Sequence, residues 1–310
     1  MLGTPYLLQV TERWLTIREP SSRKSTVFQG SLNGLRKVRP ILKWPGGKQW
    51  LARAAKMLAP RTWEGTYYEP FLGGGAVFFS LCPRRAILSD SNEELINAYR
   101  TLRNDTEGLI RLLSTYHYDD DFFYRLRDRN PASRRAVAAR MIYLNRTCWN
   151  GLYRINPQGR FNTPFGKYEN PTICDRVRLR AAARTLRPAR LVVGDFASVV
   201  SSAAGGDFVY FDPPYTTGHT NNGFVKYNAR LFSWNDQKRL ARVARTLALR
   251  GVHVLVSNAD HREVAKLFRG FHAYRVQRPT LIGGQTDSRG KVYEALFSSY
   301  LVQGAGSEVY

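Results

Sequence analysis

The stretch "VYFDPPY" (residues 209–215) ends a short apolar run at the carboxylate of Asp212, and two prolines and a tyrosine follow it. Tandem prolines fix an extended turn and remove two backbone N–H donors, so we expect the carbonyl of Pro213 to point outward beside that carboxylate. Two neighbouring acceptors match an –NH2 group, and accepting both of its hydrogens localises the nitrogen lone pair toward an electrophile. Tyr215 adds a flat face on which a planar ring can stack. We interpret the stretch as a grip for a ring amine, with a plain strand-ending turn and a surface tyrosine as the alternative.

Acidic residues also end other predicted strands, at Glu69, Asp90 and Asp195. Such residues are common helix caps, but ligands of open α/β sheets bind beyond the carboxyl ends of the strands. The glycines of "EPFLGGGAVFF" (residues 69–79) let the backbone approach a ligand closely, although the G-x-G-x-x-G spacing of dinucleotide sites is absent. Asp90 is placed to accept hydrogen bonds from both hydroxyls of a ribose. The pattern predicts a nucleotide-like ligand at this edge of the sheet.

The segment "KWPGGK" (residues 43–48) has some features of a phosphate-binding loop. It lacks the spacing G-x-x-x-x-G-K-[ST], and Gln49 stands where such loops carry the hydroxyl that binds magnesium. The segment therefore disfavours an ATPase or a kinase.

The elements that would position these residues alternate along the chain. From Ile41 onward, strand-like runs are separated by helical stretches such as "NEELINAYRTLR" and "QKRLARVARTLALR". This alternation predicts an α/β fold with a mostly parallel sheet that is covered on both faces. The predicted strands are "TYYEPF", "RAILSD" ending in Asp90, "ARLVVGDF" ending in Asp195, "DFVYFDPPY", "GVHVLVSNAD" and "YEALFSSYLV".

A long insert interrupts the alternation at residues 93–175. It begins with helices and ends in "TCWNGLYRINPQGRFNTPFGKYENP", which is rich in Gly, Asn, Pro, Arg and aromatic residues. A connection of this length inside a compact domain is usually functional or forms a subdomain. We therefore predict a basic, flexible extension at residues 1–38, an α/β domain at 39–92 and 176–304, and an inserted helical and loop domain at 93–175.

Net charge indicates the class of partner. The 310 residues include 47 Lys and Arg against 24 Asp and Glu, which gives a formal charge of +23. Such an excess suits a partner with many phosphates, although a composition bias toward arginine would give the same count. No apolar run approaches the ~18 residues of a membrane span, and the N-terminus lacks the pattern of a signal peptide. Cys82, Cys148 and Cys174 form no C-x-x-C pattern, which predicts reduced thiols, no zinc and a cytoplasmic protein.

The order of "LKWPGGK", "EPFLGGGAVFF", "ILSDSNEELINAY", the insert, "FVYFDPPY" and "VLVSNAD" resembles the Dam-type DNA adenine-N6 methyltransferases, which are of the D12 class with the alpha order of motifs. The similarity covers about residues 41–302, and the end of the insert resembles the target-recognition region of that family. The resemblance implies a Rossmann-like, S-adenosylmethionine-dependent methyltransferase that needs no metal. It implies methyl transfer to N6 of adenine within GATC in double-stranded DNA, by base flipping, and a monomer in the cytoplasm at the nucleoid.

The resemblance also implies roles for individual residues. Asp212, Pro213 and Tyr215 would be the catalytic residues that bind and orient the amine. Asp90 would hold the ribose hydroxyls of the cofactor, and Asp195 would lie near its adenine. The full cofactor site carried over from the family is Trp44, Lys48, Phe71, Gly73, Gly75, Asp90, Asp195 and Asp212.

On the DNA side, the family pattern assigns the outer bases of the target to two residues. Lys43 would read the first guanine, and Arg154 the guanine opposite the last cytosine, where a bidentate contact is worth ~1–3 kcal/mol. Trp149 would wedge into the stack as the adenine leaves, with a core aromatic of the insert as the alternative. The full set is Lys43, Trp149, Asn150 near the backbone or the orphaned base, Leu152 and Pro164 in apolar contacts, and Arg154.

This chain departs from the family at two positions. Ala259 stands in "SNAD" where members often have histidine, and Trp149 stands where tyrosine or phenylalanine is usual. Two other functions stay open. One is methylation of another planar amine, such as cytosine N4, an RNA adenine or a glutamine amide. The other is a sequence-specific DNA-binding protein without catalysis, against which the intact Asp212–Tyr215 stretch speaks. The sequence leaves open whether the protein accompanies a restriction nuclease or acts alone.

Overall fold

The structure is a computed structural model, and it describes residues 7–11, 14–18, 38–52, 54–156, 158–215, 232–278, 292–302 and 308–309. The chain divides into two compact units. Residues 1–36, 50–69 and 200–310 form the first unit, and residues 37–49 and 70–199 form the second. The predicted insert, residues 93–175, falls wholly within the second unit, and the domain boundaries drawn from the sequence remain a proposal.

Strands and helices alternate through most of the described chain. The strands are β1 (Leu7–Thr11), β2 (Trp14–Arg18), β3 (Tyr67–Glu69), β4 (Ala86–Asp90), β5 (Ala189–Val193), β6 (Phe208–Phe211), β7 (His253–Ala259), β8 (His272–Arg278), β9 (Val292–Ser298) and β10 (Glu308–Val309). The helices are α1 (Gln49–Ala52), α2 (Ala55–Leu58), α3 (Ala76–Leu81), α4 (Glu93–Asn104), α5 (Thr106–Leu113), α6 (Asp120–Asp128), α7 (Arg134–Thr147), α8 (Arg176–Leu186), α9 (Phe196–Val199), α10 (Trp234–Leu249) and α11 (Arg262–Leu267).

The first unit is built on a mixed sheet. Strands β3, β6 and β7 run parallel, and β9 runs antiparallel to both β7 and β8. All four residues of β6 are buried, as expected of a central parallel strand that is covered on both faces. The strand ends at Phe211, and the prolines that follow cannot donate to a sheet ladder. The end of β6 therefore places Asp212 at the carboxyl edge of this sheet.

Helix α10 packs against β7 in the same unit. It begins at a capping box, in which Ser233 Oγ accepts from the N–H of Asp236 at 3.2 Å and Asp236 Oδ2 accepts from the N–H of Ser233 at 3.0 Å. This exchange satisfies two donors that a helix N-terminus otherwise leaves unpaired, and it fixes where α10 starts.

The second unit combines a strand pair with a group of helices. Strands β4 and β5 are parallel and in register from Ala86 opposite Ala189 to Asp90 opposite Val193. Helices α4, α5, α7 and α8 pack on one another, and α4 also packs on β4 and β5. Four of the unit's helices begin with a side-chain oxygen that accepts a backbone N–H three residues later, at Asn92, Asp119, Ser133 and Asp175.

The predicted α/β fold is confirmed, and the six predicted strands all correspond to strands of the structure. One boundary prediction was wrong: β5 ends at Val193, and Asp195 instead precedes α9, where its Oδ1 accepts from the N–H of Ala197 at 3.0 Å. The last predicted strand, β9, is antiparallel, and β8 was not predicted. Within the predicted extension, residues 7–11 and 14–18 pair as an antiparallel hairpin, and residues 19–37 lie outside the described residues.

Membrane-spanning helices, metal-binding clusters and disulfides can each be looked for among the residues that the structure describes. None of the helices in this part of the chain combines the length and the apolar character that crossing a bilayer requires. The described residues also contain no group of three or more His, Cys, Asp or Glu side chains arranged to hold a metal ion. The three cysteines are all described and form no disulfide.

Candidate active site

The carboxylate of Asp212 is tied to the neighbouring strand β7. Ser257 Oγ donates a hydrogen bond to Asp212 Oδ1 at 2.6 Å. The hydroxyl of Tyr210, on β6, lies 2.9 Å from the same Ser257 Oγ. Ser257 is fully buried, and burial, followed by the charge of Asp212, raises the pKa of Tyr210 well above its usual range. The acid that the sequence singled out is therefore held by a buried hydroxyl pair.

The diprolyl turn after Asp212 is held from the other side by an amide pair. Gln237 of α10 donates from Nε2 to the carbonyl of Pro214 at 3.3 Å, and its Oε1 accepts from Asn258 Nδ2 at 2.9 Å. Both amide side chains are fully buried. Because the prolines have no N–H to donate, Gln237 holds the turn by donating to the carbonyl of Pro214.

Tyr215 is anchored through its hydroxyl, which donates to Glu294 Oε2 at 2.6 Å. Glu294 lies on β9 and is 2% exposed. Burial raises the pKa of Tyr215 well above its usual range, and the carboxylates of Asp212 and Glu294 add to that shift, so the phenol stays protonated as a donor. Tyr215 is half-buried and its hydroxyl is directed at an acid, unlike the surface tyrosine of the alternative interpretation.

Sequence reasoning missed the residues that hold this turn, which include Gln237 of α10 and three strand residues. Ser257 and Asn258 end the apolar run "HVLV", and Glu294 interrupts the apolar strand "VYEALFS". A buried polar residue in an otherwise apolar strand needs a partner, and that need was the available signal. Which partner each of these residues has could not be predicted from the sequence.

The glycine turn of the second unit wraps around the carboxylate of Asp90. Asp90 Oδ2 accepts from the N–H of Gly73 and Oδ1 from the N–H of Asn92, both at 3.0 Å. Gly73 and Gly75 have φ values of 46° and 65°, which favour glycine. A Cβ on Gly73 would lie 2.6 Å from Trp44 Cδ1, so the indole packs directly on this turn. The structure thus brings Trp44, Gly73, Gly75 and Asp90 together, and their role in binding a cofactor stays a prediction.

Burial sets the protonation behaviour of Asp90. Desolvation raises its pKa from the usual 3.8, while the backbone N–H groups of Asn92, Gly73 and Ser91 work in the opposite direction. A carboxylate has about four acceptor positions, so the backbone hydrogen bonds from Gly73, Asn92 and Ser91 leave room for a further donor.

Phe71, Asp195 and Lys48 lie in the same unit but in different settings, whereas Asp212, also predicted to contact the cofactor, belongs to the first unit. Phe71 stacks on Phe196 with ring centroids 5.3 Å apart, and Asp195 immediately precedes that ring. Lys48 is 4% exposed, and its Nζ donates to the carbonyl of Gly46 at 3.0 Å. The ammonium of Lys48 is therefore engaged by its own loop.

The residues predicted to contact DNA cluster around a short 3₁₀ turn at Trp149–Gly151. Trp149 is 52% exposed, and Asn150 has a φ of 52°. A Cβ on Gly151 would lie 2.4 Å from Lys43 Cδ, so the turn packs against the Lys43 side chain. The exposure of Trp149 fits a surface role and disagrees with a core aromatic.

The segment after this turn is braced by a hairpin. Arg154 donates from Nε to Asn162 Oδ1 at 2.8 Å, and its carbonyl accepts from the N–H of Asn162 at 3.0 Å. Across the base of the same hairpin, the carbonyl of Pro164 accepts from the N–H of Trp149 at 2.9 Å. The carbonyl of Leu152 accepts from Thr163 Oγ1 at 2.7 Å. The predicted DNA residues therefore share one braced surface.

Tyr153 links this surface with the glycine turn. Its ring stacks on Trp44, with centroids 5.2 Å apart and planes inclined by 20°. Its hydroxyl donates to Glu94 Oε2 at 3.1 Å. Tyr153 was not predicted as a site residue, although it stands between two that were, Leu152 and Arg154.

Known proteins resemble the chain over most of its length. Residues 44–281 match the family described as D12 class N6 adenine-specific DNA methyltransferase. The Type II methyltransferase M1.LlaDCHI of Lactococcus lactis subsp. cremoris is 36% identical over 273 residues, which are 85% of this chain and 96% of that protein. The DNA adenine methylase of Serratia marcescens is 35% identical over 271 residues, which are 84% of this chain and 98% of that protein.

Proposed function

The chain belongs to the D12 class of N6 adenine-specific DNA methyltransferases, and from that premise we propose that it methylates the adenine of GATC in double-stranded DNA after turning the base out of the helix. Membership of the family implies S-adenosylmethionine as the methyl donor and DNA as the substrate. The observation that carries the proposal is the Asp212 carboxylate, which Ser257 holds at the start of a turn whose two prolines donate no hydrogen bond.

Bound S-adenosylmethionine supplies an electrophilic methyl group with a neutral leaving group. The protein acts at the amine, where Asp212 and the carbonyl of Pro213 accept the two hydrogens and turn the nitrogen lone pair out of the ring system. Positive charge develops on that nitrogen as the new bond forms, and the negative charge of Asp212 stabilises it until the surplus proton leaves. Tyr215, anchored by Glu294, offers its ring for stacking of the turned-out base.

The second unit fits the proposed cofactor. Its ribose carries two hydroxyl donors, and the half-buried carboxylate of Asp90 has acceptor capacity beyond the positions that the N–H groups of Gly73, Asn92 and Ser91 use. The left-handed glycines of the turn leave the backbone unshielded by a Cβ, as a closely bound ligand requires. Trp44, Phe71 and Asp195 complete this proposed site, and Lys48 contributes through its loop.

The recognition of GATC rests on the braced surface around Trp149. Lys43 and Arg154 read the outer guanines, and Asn150, Leu152 and Pro164 make the remaining contacts. The exposed indole of Trp149 takes the space in the stack that the adenine leaves. We further propose that the protein acts as a monomer in the cytoplasm, at the nucleoid.

The test is the transfer of labelled methyl groups to two duplex oligonucleotides, one with GATC and one with that tetramer scrambled. The expected result is label on adenine N6 of the GATC duplex only. Label in both duplexes, or in the scrambled one alone, would keep the chemistry and overturn the target assignment. Absence of label from both duplexes would overturn the assignment to GATC, and cofactor binding would then separate two outcomes: binding points to an RNA substrate or another sequence, and no binding points to a DNA-binding protein without catalysis.

A further inference from the structure

Three hydroxyl and carboxylate groups form a chain from the interior of the first unit to its catalytic turn. Tyr210 lies on β6, Ser257 on the adjacent parallel strand β7, and Asp212 directly after β6. Ser257 Oγ lies 2.9 Å from the Tyr210 hydroxyl and 2.6 Å from Asp212 Oδ1. Tyr210 is 1% exposed and Ser257 0%, so water does not compete for these bonds.

The direction of the hydrogen bonds follows from the number of protons. A serine hydroxyl has one hydrogen to donate, and an ionised carboxylate can only accept. The single hydrogen of Ser257 therefore goes to Asp212, over the short distance typical of a charge-assisted bond. Tyr210, whose pKa is raised by burial and by the Asp212 charge, keeps its proton and donates it to Ser257. The order of donation is Tyr210 to Ser257 to Asp212.

This chain restrains a side chain that otherwise has considerable freedom. The two carboxylate oxygens of an aspartate exchange by rotation about its last torsion, which is broad. A donor bound to Oδ1 opposes that rotation and sets the plane of the carboxylate. Catalytic groups lose rate steeply when they are displaced by as little as 1 Å, so a group that fixes this plane affects the rate without contacting the substrate.

We propose that Ser257 is a positioning residue for methyl transfer: it orients the Asp212 carboxylate toward the target amine, with Tyr210 orienting Ser257 in turn. The inference rests on the proposed function, since it assigns Ser257 a role in that same reaction. Adjacent residues of a strand point to opposite faces, and the next residue, Asn258, reaches Gln237 and through it the carbonyl of Pro214. The end of β7 therefore holds the catalytic turn from both faces of the sheet.

The experiment compares Ser257→Ala, Tyr210→Phe and the double variant with the wild type in single-turnover and steady-state methyl transfer to the GATC duplex. We expect kcat of Ser257→Ala to fall about 10- to 100-fold, because other supporting side chains cost this much when removed. Binding of S-adenosylmethionine and of duplex DNA should stay within about twofold, and KM for DNA likewise. Tyr210→Phe should cost less than Ser257→Ala, and it should add almost nothing in the Ser257→Ala background, because Tyr210 acts only through Ser257.

The matched control is Ser298→Ala. Ser298 is also fully buried in this sheet, and its hydroxyl accepts from the N–H of Tyr300 at 3.2 Å. We expect this variant to keep kcat while shifting the thermal melt by a similar amount to Ser257→Ala. A Ser257→Cys variant, which restores a weaker donor, should recover part of the lost rate.

Three results would overturn the inference while leaving the proposed function intact. They are a wild-type rate in Ser257→Ala, a loss of rate that merely follows a loss of cofactor or DNA binding, and additive effects of the two substitutions. If the wild type placed no label on adenine, the proposed function would fail and the inference would fail with it.

Discussion

The side-chain amide of Asn145 bonds to both backbone polar groups of Lys43. Asn145 Oδ1 accepts from the N–H of Lys43 at 2.8 Å, and Asn145 Nδ2 donates to its carbonyl at 2.6 Å. The same Nδ2 reaches the carbonyl of Gly151 at 3.2 Å. One fully buried side chain on α7 therefore fixes Lys43 relative to the turn that carries Trp149.

Replacing Asn145 by alanine should loosen that arrangement. Three backbone groups lose their partner, and each buried group left unsatisfied costs ~1–3 kcal/mol, so we expect the free energy of unfolding to fall by several kcal/mol. Discrimination between GATC and targets altered at the first guanine should also fall. Denaturant unfolding and methyl transfer to single-base variants measure both effects. Asn97→Ala is the control, since that amide bonds to the carbonyl of Arg134 at the surface; equal specificity in the two variants would contradict the prediction.

Arg154 should recognise one outer base of the target sequence. Its Nε and Nη2 are engaged by Asn162 at 2.8 and 3.3 Å, so the Nη1 side of the fork remains for a guanine. We expect Arg154→Ala to lose ~1–3 kcal/mol of preference at that base, a factor of about 5–150, with little change at the other positions. Arg160 is an exposed arginine in the same hairpin, so Arg160→Ala is the control for the loss of one positive charge. A uniform loss across all sequences would show that Arg154 contacts only phosphate.

Trp149 should act on the base-turning step and not on stability. Removal of a stacking aromatic costs ~1–3 kcal/mol, so Trp149→Ala should reduce the turned-out population about 5- to 150-fold. The free energy of unfolding should change by no more than about 0.5 kcal/mol, as for other surface substitutions. Fluorescence of 2-aminopurine placed at the target adenine measures the first effect. Leu249→Ala is the matched control, because Leu249 is an 84% exposed apolar residue on α10, and it should leave the fluorescence unchanged.

Asp212→Ala should abolish methyl transfer and leave a folded protein that still binds duplex DNA. The substitution removes the acceptor for the amine and the negative charge that stabilises the transition state. Loss of a single electrostatic group of this kind typically costs about 100- to 1,000-fold in kcat, and this one serves both purposes. Labelled methyl transfer together with a DNA-binding titration makes the comparison. Retained turnover would remove Asp212 from the mechanism.

Asp90 should make cofactor binding depend on pH. Its pKa is raised above 3.8 by burial, so its carboxylate takes up a proton at a higher pH than an exposed aspartate does. The protonated form loses an acceptor, and S-adenosylmethionine affinity should fall about tenfold per pH unit below that pKa. The effect on stability has the opposite sign: Asp90's contribution is fully present below the unfolded-state pKa and is lost as pH rises through the folded one. Equilibrium dialysis between pH 4 and 8 measures the first effect, and an Asp90→Asn protein that kept the same pH profile would contradict it.

Sequence periodicity was enough to find the α/β fold. Buried parallel strands such as β6 are continuous apolar runs, and their ends are marked by the acids that follow. The boundary of β5 was misplaced because "VVGDF" continues the apolar pattern past the residue where pairing stops. Strand β8, "HAYRVQR", was missed although its polar and apolar residues alternate as in a half-buried strand.

The positions of the candidate site residues were partly predictable. Trp44 lies close to Gly73, and Lys43 lies close to Gly151. All four residues belong to motifs that the sequence analysis recognised from their order along the chain. The supporting residues could not be found in this way, because Ser257, Asn145 and Glu294 act through partners 45, 102 and 79 residues away. Such pairs depend on which strands become neighbours, and that is a property of the folded chain.

The division of the chain into two units affects the order in which the units can fold during synthesis on the ribosome. Residues 37–49 and 70–199, which form the second unit, are all synthesised before β6. Residues 50–69 cannot complete their own unit at that stage, since β3 pairs with β6, whose residues 208–211 come about 140 positions later. At ~5–20 residues per second, roughly 7–30 seconds pass between the synthesis of β3 and that of its partner. During this interval β3 has no strand partner from β6, so vectorial synthesis favours early completion of the second unit, which carries the exposed turn at Trp149–Gly151.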